Sequence, residues 1–386
     1  METKVTILPV EIKRRLEKGE IRFMFDLRDA DEFAAWRIEG HSDIETMNIA
    51  QADFVGEEEK YLGRFPKDRQ ITVVCAHGDS SRYSAELLVG RGFDAVSLEG
   101  GMDAWSEFYE INKASDSPAI YQIYRVAKGC ISYLVISGND AVVIDASRHV
   151  NYILDTADSL GVKISYVFDT HLQADHISGG REIARKVNAA YHIHPDDVVG
   201  AGYDYVPLKG GQIMSFGGSS LEVIHSPGHT PGSTSFLLDS TFLFTGDTIM
   251  KTSIGRPDLG GMAETWAALL HETLFDRYAK LNDGTIIFPA HAASIREQNA
   301  NGVISTAMGS ARKDRELYGI QELRPFVDFI KSSLPENPER YQEIRRVNLG
   351  LFDPDEKKRK ELEIGKNLCR MVKKQSTWKG KKGEVL

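Results

Sequence analysis

Thr170-His171-Leu172-Gln173-Ala174-Asp175-His176-Ile177-Ser178-Gly179-Gly180 is the stretch around which the rest of the chain can be read. The run before it, Ile164-Ser165-Tyr166-Val167-Phe168-Asp169, is apolar enough for a buried strand, and Arg181 to Val187 after it reads as a helix. His171, Asp175 and His176 therefore crowd one strand-to-helix turn. That crowding is costly unless a cation holds the groups, so the stretch predicts a metal site. The alternative, a solvated loop with two chance histidines, is weakened by ligand-type residues in turns further along.

Downstream, His225-Ser226-Pro227-Gly228-His229-Thr230-Pro231-Gly232-Ser233 separates two apolar strands, and its Pro and Gly residues predict a tight turn with His229 at the apex. The strand Thr241 to Gly246 delivers Asp247, and Ile286 to Ala290 delivers His291. Four strand ends thus converge on His171, Asp175, His176, His229, Asp247 and His291. Upstream, Ile120 to Val126, Ile131 to Ile136 and Ala141 to Asp145 predict an antiparallel meander. Cys130 in that meander has no ligand-type neighbour in sequence and is expected in the core. His192 and His194 alternate along a strand and are expected to be ordinary strand histidines.

Residues 1–112 read as a small α/β domain. Within it, Ile71-Thr72-Val73-Val74 is a strand with Cys75 at its end, followed by the loop Ala76-His77-Gly78-Asp79-Ser80 and a helix from Ser81 to Arg91. Backbone N–H groups from such a loop favour an anion and stabilise a thiolate or persulfide, so Cys75 is the candidate nucleophile, set against a buried inert thiol. Residues 113–118 are polar and end in Pro, which predicts a linker. Residues 119–330 form the second unit, and 331–386 a helical arm, with helices expected over Pro338 to Arg345 and Pro354 to Glu363. Lys373 to Lys382 is a basic tail, and Cys369 in the arm is expected to be inert.

The chain has 386 residues, 41% of them hydrophobic and 27% charged, with a net charge of -9 and a pI near 5.7. Two domains are expected from the length, and no nucleic-acid partner from the acidic balance. Three scattered cysteines argue against a disulfide framework and for a reducing compartment. The charged N-terminal stretch lacks a targeting core, and no run is long enough to span a membrane. A cytoplasmic homo-oligomer without membrane contact is expected.

Two resemblances follow from these motifs. Asp26-Leu27-Arg28, Glu32-Phe33, Gly40-His41, the Cys75 loop and Glu99-Gly100-Gly101-Met102-Asp103-Ala104-Trp105 resemble a rhodanese domain, which implies a sulfane sulfur carried on Cys75. The loop departs from the family in having Ser80 where an Arg is usual; Arg82, two residues on, is the substitute candidate for binding substrate. With Asp79 making the loop more acidic, a neutral or thiol-linked persulfide is expected as donor rather than thiosulfate. The second half resembles the metallo-β-lactamase superfamily, which implies an αββα sandwich of two sheets with a metal at one edge. Ser226-Pro227-Gly228-His229-Thr230, Phe244-Thr245-Gly246-Asp247 and Gly255-Arg256-Pro257-Asp258 are similar to the persulfide dioxygenases of the ETHE-like family.

Superfamily hydrolases place a third histidine where this chain has Gln173, and a neutral amide is a poor zinc ligand beside imidazole. His171, His229 and Asp247 are left, a two-histidine, one-carboxylate set of the kind that holds non-haem Fe(II) with open positions. The resemblance implies iron on these three, with Asp175, His176 and His291 orienting ligands and bound water or holding a second metal. It also implies oxidation of a low-molecular-weight persulfide by O₂ to sulfite and thiol, with Arg256 either paired to Asp258 or holding a substrate carboxylate. Ala292-Ala293-Ser294 after His291 predicts a wide, weakly polar mouth and a carrier other than glutathione, such as coenzyme A. Two rivals stand: a glyoxalase II-type thioester hydrolase with Zn²⁺, and a non-enzymatic sulfur carrier or sensor.

Overall fold

The first 98 residues supply a parallel sheet in the order Thr6–Ile7, Ala95–Leu98, Ile71–Val74, Phe23–Asp26, Glu45–Asn48. The central strands are buried along their whole length, as their unbroken apolar runs require of a sheet covered on both faces. Helices Pro9–Glu17 and Asp79–Gly90 provide cover. Phe25, Phe54, Phe65 and Phe93 pack edge to face within this core. The computed structural model describes residues 5–313, 316–334 and 340–369. The basic stretch Lys373 to Lys382 lies outside the described residues, as does the start of the helix expected from Pro338.

The second half is a sandwich. One sheet has seven strands in the order Val206–Pro207, Ala190–Ile193, Lys163–Phe168, Asp140–Ile144, Cys130–Ser137, Ala119–Arg125, Tyr109–Asp116. The other has six: Ile213–Phe216, Ser219–His225, Thr234–Leu238, Phe242–Gly246, Ile286–Pro289, Thr306–Ala307. Tyr133, Phe168, Phe236, Phe244 and Phe288 fill the space between the sheets. Helices Asn151–Leu160 and Gly180–Val187 pack on the outside of the first sheet, and Ala263–Glu272 and Leu323–Ser332 pack beside the second. This is the αββα layering expected.

Residues 113–118 are not a linker. Tyr109–Asp116 is the outermost strand of the seven-stranded sheet and pairs antiparallel with Ala119–Arg125, so the Pro-ended stretch closes a hairpin. Its polar alternation is that of a sheet edge with one face in water. The two domains also share packing. Ile12, Leu16, Trp36 and Trp105 of the first join Tyr124, Val126 and Ile295 of the second in one apolar cluster, and Trp36 Nε1 donates to the Ala127 carbonyl at 3.2 Å. Among the described residues no helix is long and apolar enough to cross a membrane.

Candidate metal centre

Lys163–Phe168 lies between parallel neighbours, Asp140–Ile144 and Ala190–Ile193, and its end throws the loop 169–178 onto the rim of the sandwich. On the facing sheet, Ser219–His225 ends in the turn that carries His229, Phe242–Gly246 ends at Asp247, and Ile286–Pro289, parallel to it, ends just before His291. Gly246 sits at φ 53°, where a β-carbon would overlap Thr170 Oγ1. A bare glycine therefore lets the two loops close on each other.

His171, His229 and Asp247 come together with one ligand atom each, all within 4.8 Å of one another and all buried. Asp247 Oδ2 lies 3.6 Å from His229 Nε2 and 3.9 Å from His171 Nε2. None of these three atoms has a hydrogen-bond partner among the described residues. Orphaned atoms of this kind are rare in buried sites, and here they face one another, which fits a cation between them. The protonation states agree. Burial pushes His171 down to about 3 and also lowers His229, leaving neutral rings. Burial opposes ionisation of Asp247, but the His291 charge beside it keeps its pKa low. Metal ligands must be deprotonated in this way.

Each ligand is aimed from behind. Asp145 accepts from the Thr170 hydroxyl at 2.9 Å, and that hydroxyl lies 2.9 Å from His171 Nδ1, which leaves Nε2 to face the site. His229 Nδ1 donates to the Arg256 carbonyl at 2.8 Å. Gln173 turns its amide nitrogen onto Asp145 at 3.2 Å, while its amide oxygen is buried without a hydrogen-bond partner among the described residues. Such outer partners typically set metal affinity by 10–100-fold. Thr170→Val is accordingly expected to weaken metal binding by roughly that factor, measured by chelator competition.

Asp175, His176 and His291 form a second group. His291 Nδ1 is 2.6 Å from Asp247 Oδ1, its Nε2 is 3.2 Å from Asp175 Oδ2, and His176 Nδ1 is 3.0 Å from Asp175 Oδ1. Burial would neutralise both rings, yet the Cys130 sulfur and Asp175 raise His176 to about 10, and Asp175 and Asp247 raise His291 well above the ordinary imidazole range. Opposite charges thus hold this group together. Cys130 belongs to it, contrary to the expectation of a plain core thiol. Its Sγ is 3.6 Å from Asp175 Oδ2, and its backbone bridges to His291. Sequence adjacency concealed this, because the neighbours arrive from other strands.

Arg256 is fully buried and clamps Asp258 with two contacts, at 2.6 and 2.7 Å. It braces the loop whose carbonyl orients His229. The arm contributes two residues that sequence reading missed. Asn348 donates to the carbonyls of Gln173 and His176, both at 2.9 Å, and accepts from Ser178 N. Glu363 accepts from Ile177 N at 2.7 Å and pairs with Arg125 and Arg148, each at 2.7 Å. Cys369 is buried, and burial together with Asp175 and Asp247 raises its thiol well above the ordinary range, so it stays protonated. Ala292, Ala293 and Ser294 line a cavity of about 30 Å³ together with Trp36 and Asn367.

In the first domain, Cys75 Sγ accepts from Gly78 N at 3.0 Å and Ser81 N at 3.3 Å. Gly78 has φ 98°, and a β-carbon there would meet Gly100 N at 2.7 Å, so the wrapping of the sulfur depends on that glycine. A cavity of about 700 Å³ opens in front of Cys75, lined by Asp29, Glu32, Asp79 and Ser80 as well as by Arg28. Arg28 is tied to Asp26 at 2.7 Å. Arg82 is exposed on its helix and does not line this cavity. A helix turn carries it past the loop, which explains why proximity in sequence misled.

Comparison with known proteins agrees with this architecture. The profile of the metallo-beta-lactamase superfamily matches residues 127–291 and that of the rhodanese-like domain residues 8–108. Persulfide dioxygenase ETHE1 of Bos taurus is 32% identical over 190 residues, spanning 46% of this chain and 70% of that protein. A crystal structure of a metallo-beta-lactamase from Staphylococcus aureus superposes with TM-score 0.55 at 27% identity, over 61% of this chain and 73% of that one. The crystal structure of ETHE1 from Myxococcus xanthus has TM-score 0.52 at 23% identity, covers 60% and 99% of the two chains, and speaks for the fold alone. The superfamily and the buried donor set together support a metal cofactor. With a rhodanese-like domain ahead of its αββα sandwich, the chain belongs to the ETHE1 persulfide dioxygenase family of the metallo-beta-lactamase superfamily.

Proposed function

We propose that the chain oxidises a low-molecular-weight thiol persulfide with O₂ and one water to sulfite and free thiol, releasing two protons, at a mononuclear Fe(II) site, and that Cys75 transfers sulfane sulfur as a persulfide. The observation that carries the first part is the convergence of His171 Nε2, His229 Nε2 and Asp247 Oδ2 as buried atoms without hydrogen-bond partners among the described residues, while Asp145 holds the Gln173 amide nitrogen. Two imidazoles and one carboxylate fit ferrous iron, which when bound supplies redox chemistry toward O₂ with positions left open for substrate. The residues around it have separate tasks. Thr170 and the Arg256 carbonyl fix the rings. His291 holds a proton against Asp247 Oδ1, so that oxygen is engaged. The near-zero exposure of the three ligands keeps bulk water away. The persulfide dioxygenase relatives support this substrate class.

Oxygen uptake by anaerobically purified protein on addition of glutathione or coenzyme A persulfide tests the reading. Uptake that tracks iron content is expected, and its absence from iron-loaded protein would sink the proposal. Gln173→Ala should retain one iron per chain, since the amide is not a ligand. A histidine-like loss of metal on that change would contradict the assignment. For the second part, Cys75→Ser should abolish sulfur transfer in a cyanide or sulfite acceptor assay while O₂ uptake persists. The acidic rim of the Cys75 cavity favours a neutral or thiol-linked donor over thiosulfate.

A second reading is a zinc thioester hydrolase. It is favoured by His176 Nε2 and His291 Nε2, which also lack hydrogen-bond partners, in a group with Asp175 and the Cys130 thiol. Two zinc ions per chain and thioester hydrolysis without O₂ uptake would select it.

A further inference from the structure

We propose that the interface between the two domains carries a binding site for a small sulfur oxyanion, sulfite or thiosulfate, built by Lys128, Tyr124 and Asn367. The choice of a sulfur oxyanion rests on the function proposed above; the site itself rests on geometry. A cavity of about 30 Å³ lies where Trp36 and Trp105 of the first domain meet the second. Lys128 Nζ, Tyr124 Oη and Asn367 Nδ2 all belong to residues lining it, all are buried, and none has a hydrogen-bond partner among the described residues. Lys128 is 3% exposed and forms no ion pair within 4.0 Å among the described residues.

Three unmet polar groups on one cavity are expensive. Each buried unsatisfied donor carries its full desolvation cost, and an unpaired ammonium the largest. All three can donate, so an anion satisfies them together. The charged residues lining the cavity are Arg37, Lys128 and Lys366 against Glu39, and Lys366 is already paired with Glu39. The remaining balance is positive. Burial holds the Lys128 ammonium below its ordinary pKa, with Asp175 and Cys130 opposing, and a bound dianion would add to that opposition.

Size narrows the ligand. At roughly 10–15 Å³ per water on this scale, the cavity takes two or three waters or one compact oxyanion, and it excludes a tripeptide thiol. Position points the same way. Ala292 N donates to the Gly129 carbonyl at 2.9 Å, and the next residue pair, Cys130 and His291, belongs to the group that contacts Asp247. An oxyanion released at the metal centre would find this cavity next to it.

Trp36 and Trp105 line the cavity, so intrinsic tryptophan fluorescence of the full chain is the probe. Sulfite, thiosulfate and reduced glutathione are titrated separately and anaerobically, before and after metal removal with a chelator. Wild type should show a saturable change with sulfite or thiosulfate, the tighter of the two naming the ligand, and the change should survive metal removal. Lys128→Met, which keeps the side-chain volume, should weaken it at least tenfold, and Asn367→Leu provides a second variant should the first misfold. No saturable response, equal affinity in both variants, a response to glutathione alone, or loss of the response with the metal would each overturn the proposal. A protein that binds the oxyanion but consumes no O₂ would leave this site standing and defeat the dioxygenase reading instead.

Discussion

Asp247→Ala will leave the protein folded but metal-poor, with O₂ uptake reduced by well over ~100-fold. The bound on this effect comes from weaker lesions: residues that only orient ligands already cost 10–100-fold in affinity or activity. Asp247 contributes the carboxylate that both histidines face, and its other oxygen holds His291. Its loss removes one ligand and frees a charged ring beside two neutral ones. The fold should tolerate the change, since the residue follows a strand end, His171 and His229 face it without hydrogen bonds, and His291 keeps its pairing with Asp175. Plasma emission analysis of the purified variant reads the metal, and circular dichroism checks the fold. Wild-type metal content in Asp247→Ala would remove this residue from the ligand set.

Glu363→Ala should be the most destabilising single change in the arm, at about 3–5 kcal/mol, because it strands two buried arginines, Arg125 and Arg148. In a chain of this size that corresponds to a fall in Tm of roughly 4–6 °C. Ile177 N also loses its acceptor, so the metal loop loosens and metal affinity should fall together with stability. The same carboxylate gives a pH dependence. Burial alone would raise its pKa, but Arg125 and Arg148 pull it from 4.5 to about 2. Its contribution is therefore full above about pH 4.5 and drains away as the pH falls toward 2. Urea midpoints measured between pH 7 and pH 3 should drop more steeply in wild type than in Glu363→Gln. Parallel curves would show that the cluster carries no such linkage.

How much of this was legible in the sequence depends on how far apart the interacting residues lie. His171, Asp175 and His176 advertise themselves, being ligand types compressed into one turn. His229 and His291 are flagged by strand-then-turn patterns. The residues that aim and protect them carry no such mark. Asp145 ends a strand as Asp247 does, yet nothing nearby in sequence links it to Thr170. Glu363 sits in a run of alternating charges that reads as a solvated helix face, and its burial depends on two arginines more than 200 residues away. Cys130 looked isolated for the same reason. The hairpin at residues 113–118 was mistaken for a linker because an edge strand with one wet face has the composition of a loop. Arg82 failed in the opposite direction: it is close to Cys75 in sequence and carried away by helix geometry.

The central claim is one ferrous ion per chain on His171, His229 and Asp247. Metal content and O₂ consumption measured on the same anaerobic preparation test it most directly. The account requires about one iron per chain and persulfide-dependent O₂ uptake in proportion to that iron. Two zinc ions per chain, or O₂ uptake that persists in Asp247→Ala, would contradict it.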